Sequence, residues 1–272
     1  MPFFLYDHNI PGRDIMNSKR LQGKNVIIAG GAGGVGRAAS LLFAAEGASV
    51  CIFDIQDEAG ERTVAEIEAA GGIARYLSTD VSKAELVSRS VEKIIADWNR
   101  IDVLFNHAGT VIVKPFLETT EADWRRLLDI NLMSMVFVSK SVIPHMINAG
   151  GGIIVNTASI SGLTASALES AYCTTKGACI QLTRSIAVEF RDRNIRCNAI
   201  SPAFIRTDHG LREIKELAGQ NRPVTEQSIA KKQGRFCEPE EVARVALFLA
   251  SDDSGFINGE QIVVDNAVLA TT

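Results

Sequence analysis

Histidine, cysteine and net basic charge are all scarce along this chain of 272 residues, and each shortage removes a class of function. Its 4 histidines, His8, His107, His145 and His209, show no ligand spacing, so no metal centre is expected. Its 5 cysteines (Cys51, Cys173, Cys179, Cys197 and Cys237) are odd in number, scattered and without metal spacing. They argue against a disulfide framework and for reduced thiols in a cytoplasmic protein. With 28 Lys and Arg against 32 Asp and Glu, the net charge of −4 gives no general basis for binding nucleic acid or an anionic membrane. No apolar run of membrane-spanning length is expected, because Leu132 to Ile143 is interrupted by Ser134, Ser139, Lys140 and Ser141. Phe3-Phe4-Leu5-Tyr6 has no preceding basic region and is too short for a secretory signal. No Pro/Ser-rich linker, charge block or internal repeat divides the chain.

Apolar residues, by contrast, make up 46% of the chain, ample for a buried core. Residues 1–20 read as a loose N-terminal arm, of which 1–15 are expected to be dispensable for catalysis, with Met16 placed like a natural beginning, and 21–272 as one domain. Near-continuous apolar strands alternate with helical patterns, including one long helix over 121–149, which predicts a buried parallel sheet covered on both faces. The expected fold is α/β, a single-domain doubly wound parallel sheet (Rossmann fold) with ligands at the carboxyl ends of its strands. Residues 203–234 read as a long irregular insertion, the natural place for a lid over substrate.

The first apolar run, Asn25 to Ala29, leads into Gly30, Gly31, Ala32, Gly33, Gly34, Val35 and Gly36 and then a helical pattern. Strand, glycine turn and helix begin a dinucleotide-binding unit, in which a pyrophosphate sits on the helix N-terminus. Two registers fit: Gly31, Gly33 and Gly36 as G-x-G-x-x-G, or Gly30, Gly34 and Gly36 as G-x-x-x-G-x-G. The second strand ends in Asp54, 18 residues past Gly36, where a carboxylate accepts hydrogen bonds from the adenine ribose of NAD. An added 2′-phosphate would meet this carboxylate at a cost of roughly 4 kcal/mol, and Ile55 offers no compensating cation. NAD is therefore expected over NADP.

Tyr172 and Lys176 lie one helical turn apart in A-Y-C-T-T-K, with Ser159 upstream. A lysine at i+4 shares the tyrosine's face, and its charge is expected to pull a phenol pKa of about 10 toward neutrality. Ser159 would then hold the substrate oxygen while Tyr172 gives or takes its proton. The competing reading is a solvated helix carrying Y-x-x-x-K by chance.

These motifs, in this order, resemble the short-chain dehydrogenase/reductase family from about Leu21 to Asn266. The resemblance selects Gly30, Gly34 and Gly36 as the matched glycines, with Gly33 and Val35 in the same cofactor-binding turn. It implies that Asp80-Val81 contacts the adenine and that Asn106, Ala108 and Gly109, in N-H-A-G, lie near the cofactor ribose. Pro202, Ile205 and Thr207 match a segment against nicotinamide, and Tyr172 and Lys176 also bind the cofactor. Asn131 in D-I-N-L, Ser159, Tyr172 and Lys176 match the family's catalytic tetrad, which interconverts a secondary alcohol and a ketone with NAD(H). By the same resemblance the chain is a homotetramer. Asp80 also suits a helix start, Asn131 a polar side chain meeting backbone, and Thr207 a plain loop hydroxyl. His107 reads as a hydrogen-bonded filler behind the cofactor.

Four departures stand out: Ala29 for threonine, His107 for the second asparagine of N-N-A-G, Ala203 after Pro202, and Asp265-Asn266-Ala267 for D-G-G. R-I-D-V-L-F-N and K-K-Q-G-R-F-C-E-P-E-E-V are similar to segments of hydroxyacid dehydrogenases of the 3-hydroxybutyrate type. Arg206, His209, Arg212 and Arg222 would then pair with a substrate carboxylate, unless the charges of a lid helix simply face water. Of these, Arg206 and Arg212, with Ser159 and Tyr172, form the expected substrate site. Val111, Ile112, Val113 and Phe116 read either as a pocket wall or as a packed loop. Alternatives are an NAD-dependent epimerase or dehydratase of a sugar derivative, or a catalytically silent NAD-binding regulator.

Overall fold

Successive residues of the first strand, β1 (Asn25–Ala29), point to opposite faces, and both faces are apolar. Val26 and Ile28 join one buried cluster with Phe43, Ile52 and Leu247, while Ile27 and Ala29 join another with Phe53, Leu104 and Met146. A strand buried on both sides requires helices above and below it, which the crossovers of a parallel sheet supply. The computed structural model describes residues 19–220 and 224–270. Among them β1 is joined by β2 (Ser49–Asp54), β3 (Ile73–Ser78), β4 (Val103–Asn106), β5 (Gly152–Thr157), β6 (Ile195–Pro202) and β7 (Gln261–Val264).

These strands form one parallel sheet in the order β3-β2-β1-β4-β5-β6-β7. Helices α1 (Gly34–Ala45), α2 (Asp57–Ala69), α3 (Ala84–Trp98), α4 (Glu121–Leu127), α5 (Ser134–Asn148), α6 (Ser170–Phe190), α7 (Asp208–Gly219), α8 (Glu226–Gln233) and α9 (Pro239–Ala250) complete the described residues. α1, α2 and α9 cover one face, and α3, α5 and α6 the other. The chain order reverses between β1 and β4, where Ala29 pairs with Asn106, and the connections leaving those two ends open the crevice of a doubly wound sheet. The expected fold class is thus the one observed.

Three details differ from the sequence reading. The helix expected over 121–149 is interrupted by a π-helical segment, Leu128–Met133, that carries Asn131. The rod Glu121–Asn148 is nevertheless 28 residues of continuous helix, long and apolar enough by composition to cross a membrane. The interrupting serines and Lys140 do not offset the apolar residues around them. Here α5 packs against α3, β4 and β5. The insertion after β6 is helical rather than irregular, because Thr207 and Thr225 each accept an N-terminal N–H and so start α7 and α8.

Most of the N-terminal arm, with Met16, lies outside the described residues, as does Arg222. The arm's last residue, Arg20, pairs with Glu46 at 2.8 Å, and Leu21, where the domain begins, is fully buried. Near the other end, Asn266 and Ala267 stand at φ 49° and 67°, in the left-handed region, where the matched pattern has two glycines. Asn266 gains a hydrogen bond from its Nδ2 to the Gln233 carbonyl (2.8 Å), but a methyl side chain gives Ala267 no such return. Ala267→Gly is expected to stabilise the fold by about 1 kcal/mol. Thermal unfolding checks this, and a lower midpoint in the variant would contradict it.

Candidate active site

At the end of β1 the backbone turns through Gly30, with φ +82°, where a Cβ would stand 2.7 Å from the Ala108 backbone. A Cβ on Gly36 would lie 1.8 Å from the Gly30 carbonyl, so neither position admits a side chain. Gly34 also has positive φ. The geometry therefore selects Gly30, Gly34 and Gly36 over the alternative register. Gly33 caps α1 without a side-chain hydrogen bond, and the first turn holds no acidic residue. Its free N–H groups and the helix dipole favour an anion there.

Asp54, at the end of β2, faces the same turn. Its Oδ2 accepts from the Ala32 N–H (3.0 Å), and its Oδ1 from the N–H groups of Ile55 (2.8 Å) and Gln56 (3.1 Å). These bonds fix a carboxylate beside the glycine turn. A cavity of about 650 Å³ connects this region with Ser159, Tyr172 and Lys176. Gly33, Gly34, Val35, Ile55, Val81, Ala108 and Gly109 line it, as do Pro202, Ile205 and Thr207 from the other side. A side-chain-free cradle at a helix N-terminus with a fixed carboxylate one strand away fits the diphosphate and ribose of a dinucleotide.

Three of the expected site residues do not line this cavity. Asp80 does not line the cavity, although its neighbours Thr79 and Val81 do. Its Oδ1 accepts from the N–H and hydroxyl of Ser82 (3.0 and 2.7 Å), closing the turn before α3. Asn106 is buried inside the sheet, where Nδ2 donates to Asn156 Oδ1 (2.9 Å) across the β4–β5 pair. It braces two strands instead of lining the crevice. Arg206 pairs with Glu226 (3.2 Å) and Glu238 (3.4 Å) and lies over the Phe236 ring, away from the cavity.

At the catalytic end, β5 delivers Ser159 and α6 delivers Tyr172 and Lys176. Ser159 and Tyr172 hydrogen-bond through their side chains. Lys176 Nζ donates to the Thr157 carbonyl (2.9 Å) and sits 5.8 Å from the Tyr172 ring centroid. Contrary to the sequence expectation, the phenol is held well above its usual range. Burial is the main cause and the nearby Glu213 carboxyl adds to it, while the bond with Ser159 opposes them. Burial also lowers Lys176.

Asn131 meets the backbone, one of the two roles considered for it. Its Oδ1 accepts from the Thr110 N–H (2.7 Å), and Nδ2 donates to the Thr110 carbonyl (2.9 Å) and Thr175 Oγ1 (3.0 Å). A Cβ on Gly109 would stand 3.4 Å from both Asn131 Oδ1 and Lys176 Nζ, so the two groups converge over that glycine. Thr207 lines the cavity, and its Oγ1 accepts from the Gly210 N–H (3.1 Å). His107 Nδ1 and Thr157 Oγ1 are 3.1 Å apart, and burial pushes the imidazole down to about 3, so it is a neutral filler. Val111 and Val113 pack in the core beside Tyr172 and Phe116 is exposed, so this segment is a packed loop and not a pocket wall.

Of the proposed carboxylate clamp, Arg212 lines the cavity and donates to Thr110 Oγ1 (3.1 Å). His209 also lines it, but burial, with Arg212 and Lys176 nearby, lowers it to about 4 and leaves it neutral. The sequence reading missed Glu169 and Glu213, two buried carboxyls that hydrogen-bond each other in the cavity wall. Glu169, three residues before Tyr172 in L-E-S-A-Y, carried a usable signal. Glu213 carried none, since its partner is 44 residues away.

Burial and the Glu169 carboxyl push Glu213 well above the usual carboxylate range. A folded-state pKa raised above the unfolded value of about 4.3 means that stability is lost as pH rises beyond that value. Glu213→Gln removes this loss. Its thermal midpoint is expected to gain on the wild type between pH 5 and pH 8. A variant falling further behind at pH 8 would contradict the assignment.

A family model described as enoyl-(acyl carrier protein) reductase matches residues 30–267. The chain is 38% identical over 252 residues to meso-2,3-butanediol dehydrogenase of Serratia marcescens, covering 93% of this chain and 97% of that one. It is 36% identical over 253 residues to a 3-oxoacyl-[acyl-carrier-protein] reductase of Thermotoga maritima, covering 92% and 99%. Among solved structures, NAD⁺-bound xylitol dehydrogenase superposes with a TM-score of 0.88 at 32% identity, covering 91% of this chain and all of that one. Together with the glycine cradle and the Ser159, Tyr172 and Lys176 cluster, these similarities show that the chain belongs to the short-chain dehydrogenase/reductase family.

Proposed function

We propose that this enzyme interconverts a secondary alcohol and a ketone with NAD(H), using Tyr172 as its proton-transfer group. The observation that carries this reading is one continuous cavity with Asp54 and the glycine cradle at one end and Ser159, Tyr172 and Lys176 at the other. A bound nicotinamide supplies or accepts the hydride. The protein's own part begins with the substrate oxygen, which accepts hydrogen bonds from Ser159 and Tyr172. In reduction Tyr172 gives that oxygen its proton, and Lys176, held by the Thr157 carbonyl, faces the phenolate left behind. In oxidation the same proton moves the other way. A phenol held above its usual range is fully protonated at neutral pH and ready to donate.

The Asp54 carboxylate and the exposed Ile55 beside it support NAD over NADP. The named activities of the butanediol and xylitol relatives support a small neutral alcohol as substrate. A cytoplasmic homotetramer completes the proposal, supported by five free cysteines and by exposed Val188 on α6. Initial rates of secondary-alcohol oxidation with each cofactor test it. Wild type is expected to favour NAD⁺ by at least about 10²-fold in kcat/KM, and Asp54→Asn to narrow that gap at least tenfold. Equal use of both cofactors would sink the NAD assignment, and no cofactor reduction with any alcohol would sink the activity.

A further inference from the structure

Glu169 stands at the start of α6 and Glu213 in the second turn of α7, yet their carboxyl groups meet in the cavity that holds Ser159 and Tyr172. They are only 2% and 9% exposed. The proton transfer proposed above uses neither of them. Two carboxyls in buried hydrogen-bond contact share a proton, because both cannot stay ionised. The shared proton makes the pair donor and acceptor at once, whereas an ordinary carboxylate only accepts. A hydroxyl group has the same dual character.

The groups around the pair carry charges of both signs, so a ligand of either charge meets a like charge here. Glu213 is faced by His209 (3.9 Å), Arg212 and Glu216 from α7 and by Glu169 and Tyr172 from α6. A substrate carboxylate placed here would meet the acidic pair. A substrate cation would meet Arg212 and, deeper in, Lys176. A neutral hydroxyl meets neither penalty.

We propose that the Glu169–Glu213 pair binds a second, neutral hydroxyl of the substrate, so that the site selects diols and polyols over monofunctional alcohols and hydroxyacid anions. This rests on the oxidoreductase reading and names its substrate class. A hydroxyacid substrate, raised by the sequence similarity, is disfavoured by the same pair.

The test is kcat/KM of the full-length enzyme with NAD⁺ for 2,3-butanediol (mixed stereoisomers), 2-butanol and 3-hydroxybutyrate. Wild type is expected to prefer the diol to 2-butanol about tenfold or more and to use the hydroxyacid least. Glu213→Leu should cut the diol-to-monoalcohol ratio about tenfold, whatever happens to both rates together. Glu213→Gln, which keeps a donor and an acceptor, should hold the ratio within about threefold of wild type. A ratio untouched by Glu213→Leu would mean that the pair merely ties α6 to α7, and the inference fails. If the leucine variant does not fold, the wild-type ranking decides: no preference for the diol, or a preference for the hydroxyacid, overturns the inference. Turnover of 2-butanol without diol preference overturns this inference alone, as does activity confined to alcohols other than the diol, whereas no cofactor reduction with any alcohol overturns the oxidoreductase reading beneath it.

Discussion

The burial of one phenol underlies the chemistry proposed for this molecule. Tyr172 is enclosed by the core cluster of Val111, Leu127 and Leu217, with Ser159 bonded to its hydroxyl and Lys176 one helical turn away. Removing water from a phenol disfavours its ionised form far more than it disfavours the neutral acid. The proton is therefore held until a substrate oxygen arrives in place of water. The lysine does not make the tyrosine a free base at neutral pH. In the proposed transfer it stands on the side where negative charge develops, which is where a fixed charge is most useful.

That phenol is placed by the sheet. Reversal of strand order between β1 and β4 opens a crevice at their carboxyl ends, and β5 and α6 bring the proton-transfer groups to one side of it. On the other side, Gly30 and Gly36 let the turn and α1 close against each other, while Asp54 is fixed by three backbone N–H groups. The two ends are thus held by different elements with one cavity between them. α7 then sits over the cavity and carries Arg212 and Glu213 into its wall.

The fold was readable because doubly buried strands leave an unusual trace: β1 and β2 are apolar at every interior position, not at alternate ones. Asp54 and the Tyr172/Lys176 pair were readable because local spacing places them. Asn106 and Asp80 turn away from the cavity for a common reason. A polar residue at a strand end can turn toward the ligand, into the sheet or back onto its own turn, and nothing local decides which. Asn156 and Ser82 decided it. The direction of the Tyr172 shift was misread because a neighbouring lysine is visible in sequence and desolvation is not. Glu213 was invisible for a similar reason, since a partnership across 44 residues exists only once α7 has docked on α6.

The most direct measurement of the buried phenol's role is the pH dependence of alcohol oxidation in wild type and Tyr172→Phe. Oxidation needs the proton gone, so the wild-type logarithm of kcat/KM should rise by about one per pH unit between pH 6 and 9. Ketone reduction, which needs the proton in place, should stay level over the same range. Tyr172→Phe should lose the rise together with at least about 10²-fold of the rate while still binding NADH. Wild-type oxidation that is flat with pH, or a phenylalanine variant with near-normal turnover, would contradict proton transfer through Tyr172.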